Sequence, residues 1–491
     1  MKPHDSRRRD FLKQSILAAG ATMLPMGFVS AQGAQFQRQE WQTFKNTSHY
    51  SALRFAIGKM QANTNSSDPN SWAYWVNAHV NYCPHSVAYF LAWHRGFLYY
   101  FERQLRSVSG DSGLVLPYWD YYTNPNLPSE FTANTSGNPL WASRVNNNVR
   151  DALTLAPFSS RLTNFPRGSS NAFEPSIEDA PHNPVHDIIG GWMTTMESPV
   201  DPIFWLHHAN IDRLWVAWVF AGGNRKMPAL SNSYWSGSFR YSGALTMSRN
   251  LTYDNRSSLN YYYQNEQMPS RLPSLAGGSS LLSSQPGGEQ ALLSPPPVGS
   301  YRLSIPRATS DSTFSAAGSL DIGLSERSVS VQLPLSSEYG QSVAQIAGGS
   351  AATAPGGTLR YQSVQLVLDN IQLTKVGSEG GYFYRVYLNM PSGGATASLT
   401  AGDGQGLTGG SSVRSILLGT LGPFKIAGAM HHGGPVQLRF VLTDALAGLS
   451  KTQMGMLTVS FVRVSGENSP TGQVMGIGEA RLELSTANSA S

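Results

Sequence analysis

Seven of the chain's eleven histidines fall in two short windows. The first holds His79, His85 and His94, and the second holds His182, His186 and the pair His207-His208. His182 and His186 are four residues apart, so on a helix they share a face one turn apart and can reach one ion. The single cysteine, Cys83, excludes a disulfide framework and a cysteine-rich zinc site. Imidazole suits Zn, Cu, Ni and Fe alike, whereas two triplets of neutral nitrogens without a carboxylate favour a soft ion of low charge such as Cu(I). By spacing, the chain carries a dinuclear histidine site with copper as its metal.

Helices must bring these rings together. From His94, the residues Phe97, Leu98, Phe101, Glu102 and Leu105 fall at helical offsets. From His208, so do Ile211, Asp212, Trp215, Trp218 and Val219. Both histidines therefore face inward with an apolar stripe. His85 and His94 are nine residues apart, about 900° of ideal helix, which puts them on opposite sides. His85 is expected from the loop before the helix, next to Pro84. Helices that each present an inward histidine describe a metal site inside a helix bundle.

The surroundings bound the function. The chain has 491 residues, 13% of them charged, and a net charge of +5. That length suits two or three domains. No Lys/Arg run appears outside the N-terminus, so nucleic acid is not an expected partner. Residues 1–31 read as an export address. Arg8-Arg9-x-Phe11-Leu12-Lys13 matches a twin-arginine signal, followed by a short apolar run and Val29-Ser30-Ala31. The expected location is periplasmic or secreted, with the export machinery as a partner and no membrane attachment after signal removal. Residues 32–265 are rich in Trp, Tyr and His. Residues 266–300 have the Gly/Ser/Pro composition of a linker. Residues 301–491 show period-two runs such as Val364-Gln-Leu-Val-Leu368 and Leu457-Thr-Val-Ser-Phe-Val462. The predicted fold is a mainly α catalytic domain, a helix bundle holding the metal pair, followed by an all-β antiparallel sandwich.

At these residues a family resemblance emerges. His85-Ser-Val-Ala-Tyr-Phe-Leu-Ala-Trp-His94-Arg95 resembles the copper-A motif of the tyrosinase family, and Asp201-Pro-Ile-Phe-Trp-Leu-His207-His208-Ala-Asn-Ile-Asp212-Arg213 its copper-B motif. Glu178-Asp-Ala-Pro-His182-Asn183-Pro-Val-His186 resembles the first copper-B stretch. More loosely, Phe383-Tyr-Arg-Val-Tyr-Leu-Asn389 and Gly422-Pro-Phe-Lys-Ile-Ala-Gly428 are similar to the C-terminal domain of plant polyphenol oxidases.

The resemblance implies a type-3 centre of two copper ions, with O2 as co-substrate and phenols as substrates. By position, copper A takes His79, His85 and His94, and copper B takes His182, His186 and His208. His207 is then a structural neighbour, and His49 is the alternative to His79. Cys83 resembles the cysteine that fungal relatives join to a ligand imidazole, here His85, as a thioether. Glu178 and Asn183 resemble a pair that holds a water and takes the proton of a monophenol. Asp187 stands where relatives tune monophenol preference. Arg95 and Asp212 are expected to pair between helices, Phe204 to pack under copper B, and Thr195 or Met196 to line the entrance. Tyr261-Tyr262-Tyr263 resembles the family's Tyr-x-Tyr signature, with Arg38 beside it. In relatives the C-terminal domain covers the site until a protease removes it. Met430-His431-His432 is read here as a loop tip that either plugs the site or is plain sandwich loop. The implied function is a tyrosinase or polyphenol oxidase. The alternatives are a catechol oxidase without monophenolase activity and a haemocyanin-like O2 binder.

Overall fold

The computed structural model describes residues 36–274, 282–284, 290–292, 294–391, 413–431 and 436–487. Residues 1–35, which include the expected export address, much of the expected linker, and His432 lie outside the described residues. No helix among those described is long and apolar enough to cross a membrane.

The first half is helical. Its main helices are α1 (His49–Ala62), α2 (Trp72–Tyr82), α3 (Phe90–Ser109), α4 (Asn183–Ile189) and α5 (Ile203–Phe220). Almost every residue of α5 from Ile203 to Trp218 is buried, as an all-round apolar helix must be. A short parallel pair, β1 (Phe36–Arg38) with β2 (Tyr261–Tyr263), joins the two ends of this half. The Arg38 guanidinium lies 3.7 Å over the Tyr261 ring and donates to Glu102 of α3 at 2.8 Å. Helices α3 and α5 are tied by the expected pair, Arg95 Nε to Asp212 Oδ1 at 2.7 Å. Tyr261 and Tyr263 donate their hydroxyls to the other oxygen of Asp212 at 2.5 and 2.6 Å. A fully hydrogen-bonded buried pair of this kind costs about 3–5 kcal/mol to break from one side, so it fixes the two helices that carry His94 and His208.

The second half is sheet-rich. One antiparallel sheet has the order β4 (Val329–Gln332), β9 (Thr458–Ser465), β6 (Tyr382–Pro391), β7 (Val413–Leu421). The other has the order β8 (Leu438–Val441), β5 (Ser363–Leu373), β10 (Met475–Ser485), β3 (Thr313–Leu324), with two short strands on the β3 edge. Val386 pairs with Phe461 in the first sheet and Leu366 with Leu482 in the second, and all four share one core. Helices interrupt the strands: α6 (Ser337–Ala347) and α7 (Pro423–His431) among them. Met430 and His431 therefore end a helix and are not a loop tip, and that helix is anchored by the buried Pro423, Phe424, Ile426 and Gly428. Part of the expected linker is packed: Met268 and Leu272 lie against the helical core, and Arg213 donates to the Gln267 carbonyl at 3.2 Å. Phe383 and Val464 of the sheets also belong to the helical core, so the two halves meet on a continuous apolar seam.

Candidate metal centre

His79 ends α2, His85 stands in the loop before α3, and His94 lies in its second turn. His79, Cys83, His85 and His94 each offer a ligand atom, all within 4.8 Å of one another and all buried. The second group is His182, His186, His207 and His208, equally close and equally buried. The two groups adjoin: the rings of His94 and His208 stack with centroids 4.3 Å apart. Phe204 lies 4.1 Å from the His208 ring and 5.0 Å from that of His79, so it packs between the groups rather than under one of them. His49 is elsewhere, paired with Asp111 at 2.6 Å.

Hydrogen bonds set the ring tautomers. Nδ1 of His79, His94 and His186 faces the carbonyls of Met196, Phe90 and Met193 at 2.7, 2.8 and 2.7 Å. Nδ1 of His182 faces Asn183 Oδ1 at 2.9 Å. These oxygens only accept, so each Nδ1 carries the proton and each Nε2 keeps its lone pair. The Nε2 atoms of His182 and His186 both lie 3.3 Å from that of His208. Convergent lone pairs in a dry cavity need a cation between them. Burial keeps all seven imidazoles neutral, pushing His79 down to about 4 and the other six well below the usual range. His79 Nε2, His85 Nδ1 and His208 Nδ1 have no hydrogen-bond partner. Neutral, desolvated, unpartnered nitrogens in two adjoining sets fit a dinuclear copper site.

The family description "Common central domain of tyrosinase" matches residues 38–151 and 132–220. Residues 38–220 thus carry the central domain of the tyrosinase family. The chain is 32% identical over 182 residues to tyrosinase HcTyr1 of Hahella sp. (strain CCB-MM4), covering 29% of this chain and 39% of that protein. It is 35% identical over 176 residues to a tyrosinase of Streptomyces lincolnensis, covering 27% and 63%. It is 30% identical over 234 residues to chloroplastic catechol oxidase B of Solanum tuberosum, covering 35% and 38%. The matched part thus spans from about two fifths to just under two thirds of these relatives.

Around this tyrosinase-family centre the remaining residues take particular places. Cys83 Sγ lies 3.5 Å from His85 Nε2 and 3.3 Å from His94 Nε2, so the thiol sits among the ligand nitrogens of the first group. Burial holds it well above the usual thiol range. Glu178 is buried, but its carboxylate is engaged by the Arg167 guanidinium and by the Ser86 N–H at 2.6 Å, and Asn183 is turned to His182. Burial raises Glu178, against the opposing pull of Arg167. No signature in the sequence marks Arg167. Glu174 was also missed, although its spacing to Glu178 puts both on one helical face. It accepts from the N–H groups of Arg167 and Leu91 at 3.0 and 3.3 Å and from Tyr234 at 3.2 Å. Burial pushes it up to about 7. The Met196 carbonyl serves His79, while Thr195 turns its hydroxyl back to the Trp192 carbonyl.

Asp187 is fully buried, so it is not a pocket-rim acid. Its Oδ1 accepts the N–H of Phe424 at the start of α7 at 2.7 Å. The Phe424 ring stacks on His186 with centroids 4.0 Å apart and meets His85 and His182 edgewise at 5.2 and 5.6 Å. A side chain of the sheet-rich half therefore covers the centre, and it comes from the start of α7 rather than from the Met430-His431-His432 segment read from sequence as either a plug or a plain loop. Asp179 holds the same element, accepting from Lys425 Nζ at 2.9 Å and Thr420 N at 3.1 Å. A Cβ at position 422 would lie 1.9 Å from Asp187 Oδ2, so only glycine permits this approach.

Proposed function

We propose that the chain is an exported copper-dependent oxidase of phenols, hydroxylating monophenols at the ortho position and oxidising o-diphenols to o-quinones with O2. The observation that carries this is the pair of adjoining, neutral, dry imidazole groups, stacked through His94 and His208. His79, His85 and His94 would hold one copper and His182, His186 and His208 the other. The copper pair, when bound, supplies the two-electron exchange with O2 on which both reactions depend. The chain's own residues do the rest. The carbonyls of Met196, Phe90 and Met193 fix ring orientation, and the aromatic packing of Phe204 and Phe90 keeps bulk water out. His186 offers the flat face on which a phenol ring would lie, the face that Phe424 covers. The sheet-rich half then acts as a lid, and cleavage in the Gly/Ser/Pro segment 275–300 by an activating protease would release it. A thioether between Cys83 and His85 would lock that ring.

A second reading, a catechol oxidase, draws on one observation: the Glu178 carboxylate is tied to Arg167 and Ser86, not presented to Asn183. A carboxylate so engaged is a poor base for a phenol of pKa about 10.

The test is O2 uptake by copper-loaded protein with p-cresol, then with 4-methylcatechol, before and after limited proteolysis. Uptake with both, rising after cleavage, is expected. Uptake with catechol alone would select the second reading. No uptake in either state at full copper would leave an O2-binding protein.

A further inference from the structure

Five arginines are buried among the described residues: Arg38, Arg95, Arg213, Arg385 and Arg481. Four face a carboxylate: Glu102 at 2.8 Å, Asp212 at 2.7 Å, Asp120 at 3.3 Å and Glu483 at 2.8 Å, in that order. Arg385 of β6 has no carboxylate within ion-pair distance among the described residues: its Nη2 donates to the main-chain oxygen of Asp151 at 3.1 Å, and the Asp151 carboxylate acts on it only from farther off, too weakly to offset burial. Burial pushes Arg385 below the usual guanidinium range, whereas the carboxylates around Arg38 hold that group above it. A guanidinium removed from water normally finds a counter-charge.

Arg385 lines a cavity of about 920 Å³ on the seam between the helical half and the sheets. Six basic side chains line it against two carboxylates. Both carboxylates are engaged, Glu178 by Arg167 and Asp179 by Lys425. Arg414 of β7 lines the same space, and Arg167 Nε there is buried without a partner. The walls between these charges are apolar, with Phe440, Leu417 and Pro157 among them. The volume far exceeds a bare oxyanion, and guanidinium matches a carboxylate by paired N–H groups.

We propose that this cavity is a binding site for an aromatic carboxylate, its anionic head on Arg385 with Arg414 and Arg167 adding charge, and its ring on the apolar wall. Because both halves of the molecule line the cavity, the bound acid bridges them and stabilises the closed form. The cavity borders the histidine centre through Glu178 and Asn183 but no histidine lines it, and the proposal does not depend on the oxidase reading.

Calorimetric titration of the full chain with 3-phenylpropionate, copper-loaded and copper-free alike, tests this, with neutral 3-phenylpropionamide as control. The carboxylate is expected to bind equally in both forms and to raise the melting temperature, with the amide about tenfold weaker or worse. Arg385→Met should weaken binding about tenfold or more. Arg414→Gln, on a more exposed strand, should weaken it several-fold, about threefold, without changing the ligand-free melting temperature. The second variant decides the matter if the first does not fold. Equal binding of the amide, unchanged affinity in the folded variants, or binding seen only with copper present would overturn the proposal. So would inorganic sulfate raising the melting temperature as much as the carboxylate does, since the ring would then contribute nothing.

Discussion

The two histidine groups are built alike but finished differently. In each, two rings have Nδ1 anchored by an oxygen acceptor: His79 and His94 in the first, His182 and His186 in the second. In each, a third ring, His85 or His208, has Nδ1 unpartnered. The fourth member differs: a thiol 3.3 Å from His94 in the first group, and a fourth imidazole, His207, in the second. The cover differs as well, since Phe424 stacks face-on upon His186 but only edge-on to His85. The first group takes its fourth member, Cys83, from the segment between its own His79 and His85. The second is the one the sheet-rich half engages, through Asp187 and Phe424.

The largest effect should come from breaking one group at a time. His94→Ala and His208→Ala are each expected to lower O2 uptake about 10³-fold or more and to leave copper in the untouched group by metal analysis. Loss of all copper from both variants would show that the groups do not fill independently.

Next is the response of copper-free protein to pH. The buried imidazoles have depressed folded values, so their contribution is present above about pH 6.5 and is lost as pH falls. Glu174, which holds the start of α3, works in the opposite sense. Raised to about 7 from an unfolded value of 4.5, it favours the fold below its unfolded value, and this is lost as pH rises through about 7. Glu174→Gln should remove a loss on the order of 3 kcal/mol that develops between pH 4.5 and about 7, while leaving the imidazole contribution. Denaturant titrations at several pH values check this, and an unchanged slope in that window would refute it.

Phe424→Ala should raise uptake by the uncut chain about tenfold, whereas Met430→Ala should not. Equal effects would mean that the closure seen at His186 is not what limits access. The smallest contrast concerns the fourth members. Cys83→Ser is expected to weaken copper in the first group about tenfold and to restore the mass of two hydrogens if the thioether forms. His207→Gln should leave copper content unchanged.

The helices and the inward faces of His94 and His208 are legible because they rest on local periodicity, whereas the full triplets and the Arg95–Asp212 tie are legible only through the family motifs that carry them. His94 and His208 carry their apolar stripes with them, and the second half announces its strands by alternation. What stayed hidden depends on distant chain segments meeting. Phe424 reads as one apolar residue among many until α7 docks on Asp187. Arg167 belongs to a loop with no period, so its hold on Glu178 has no sequence signature. Met430-His431 reads as a loop because glycines flank it and because the buried Phe424, Ile426 and Gly428 fall at a period of two, which carries no helical signal.

A phenyl ring tethered over His186 is also an intramolecular competitor. Its strength is set by an effective concentration, in the millimolar range for short connections, rather than by any blocking of a channel. A phenol with affinity well inside that range would displace the ring from the intact chain, and a weaker one would not. Under the proposed oxidase reading, latency would be a threshold on substrate affinity, and Gly422, by allowing the close approach to Asp187, would set how high that threshold stands.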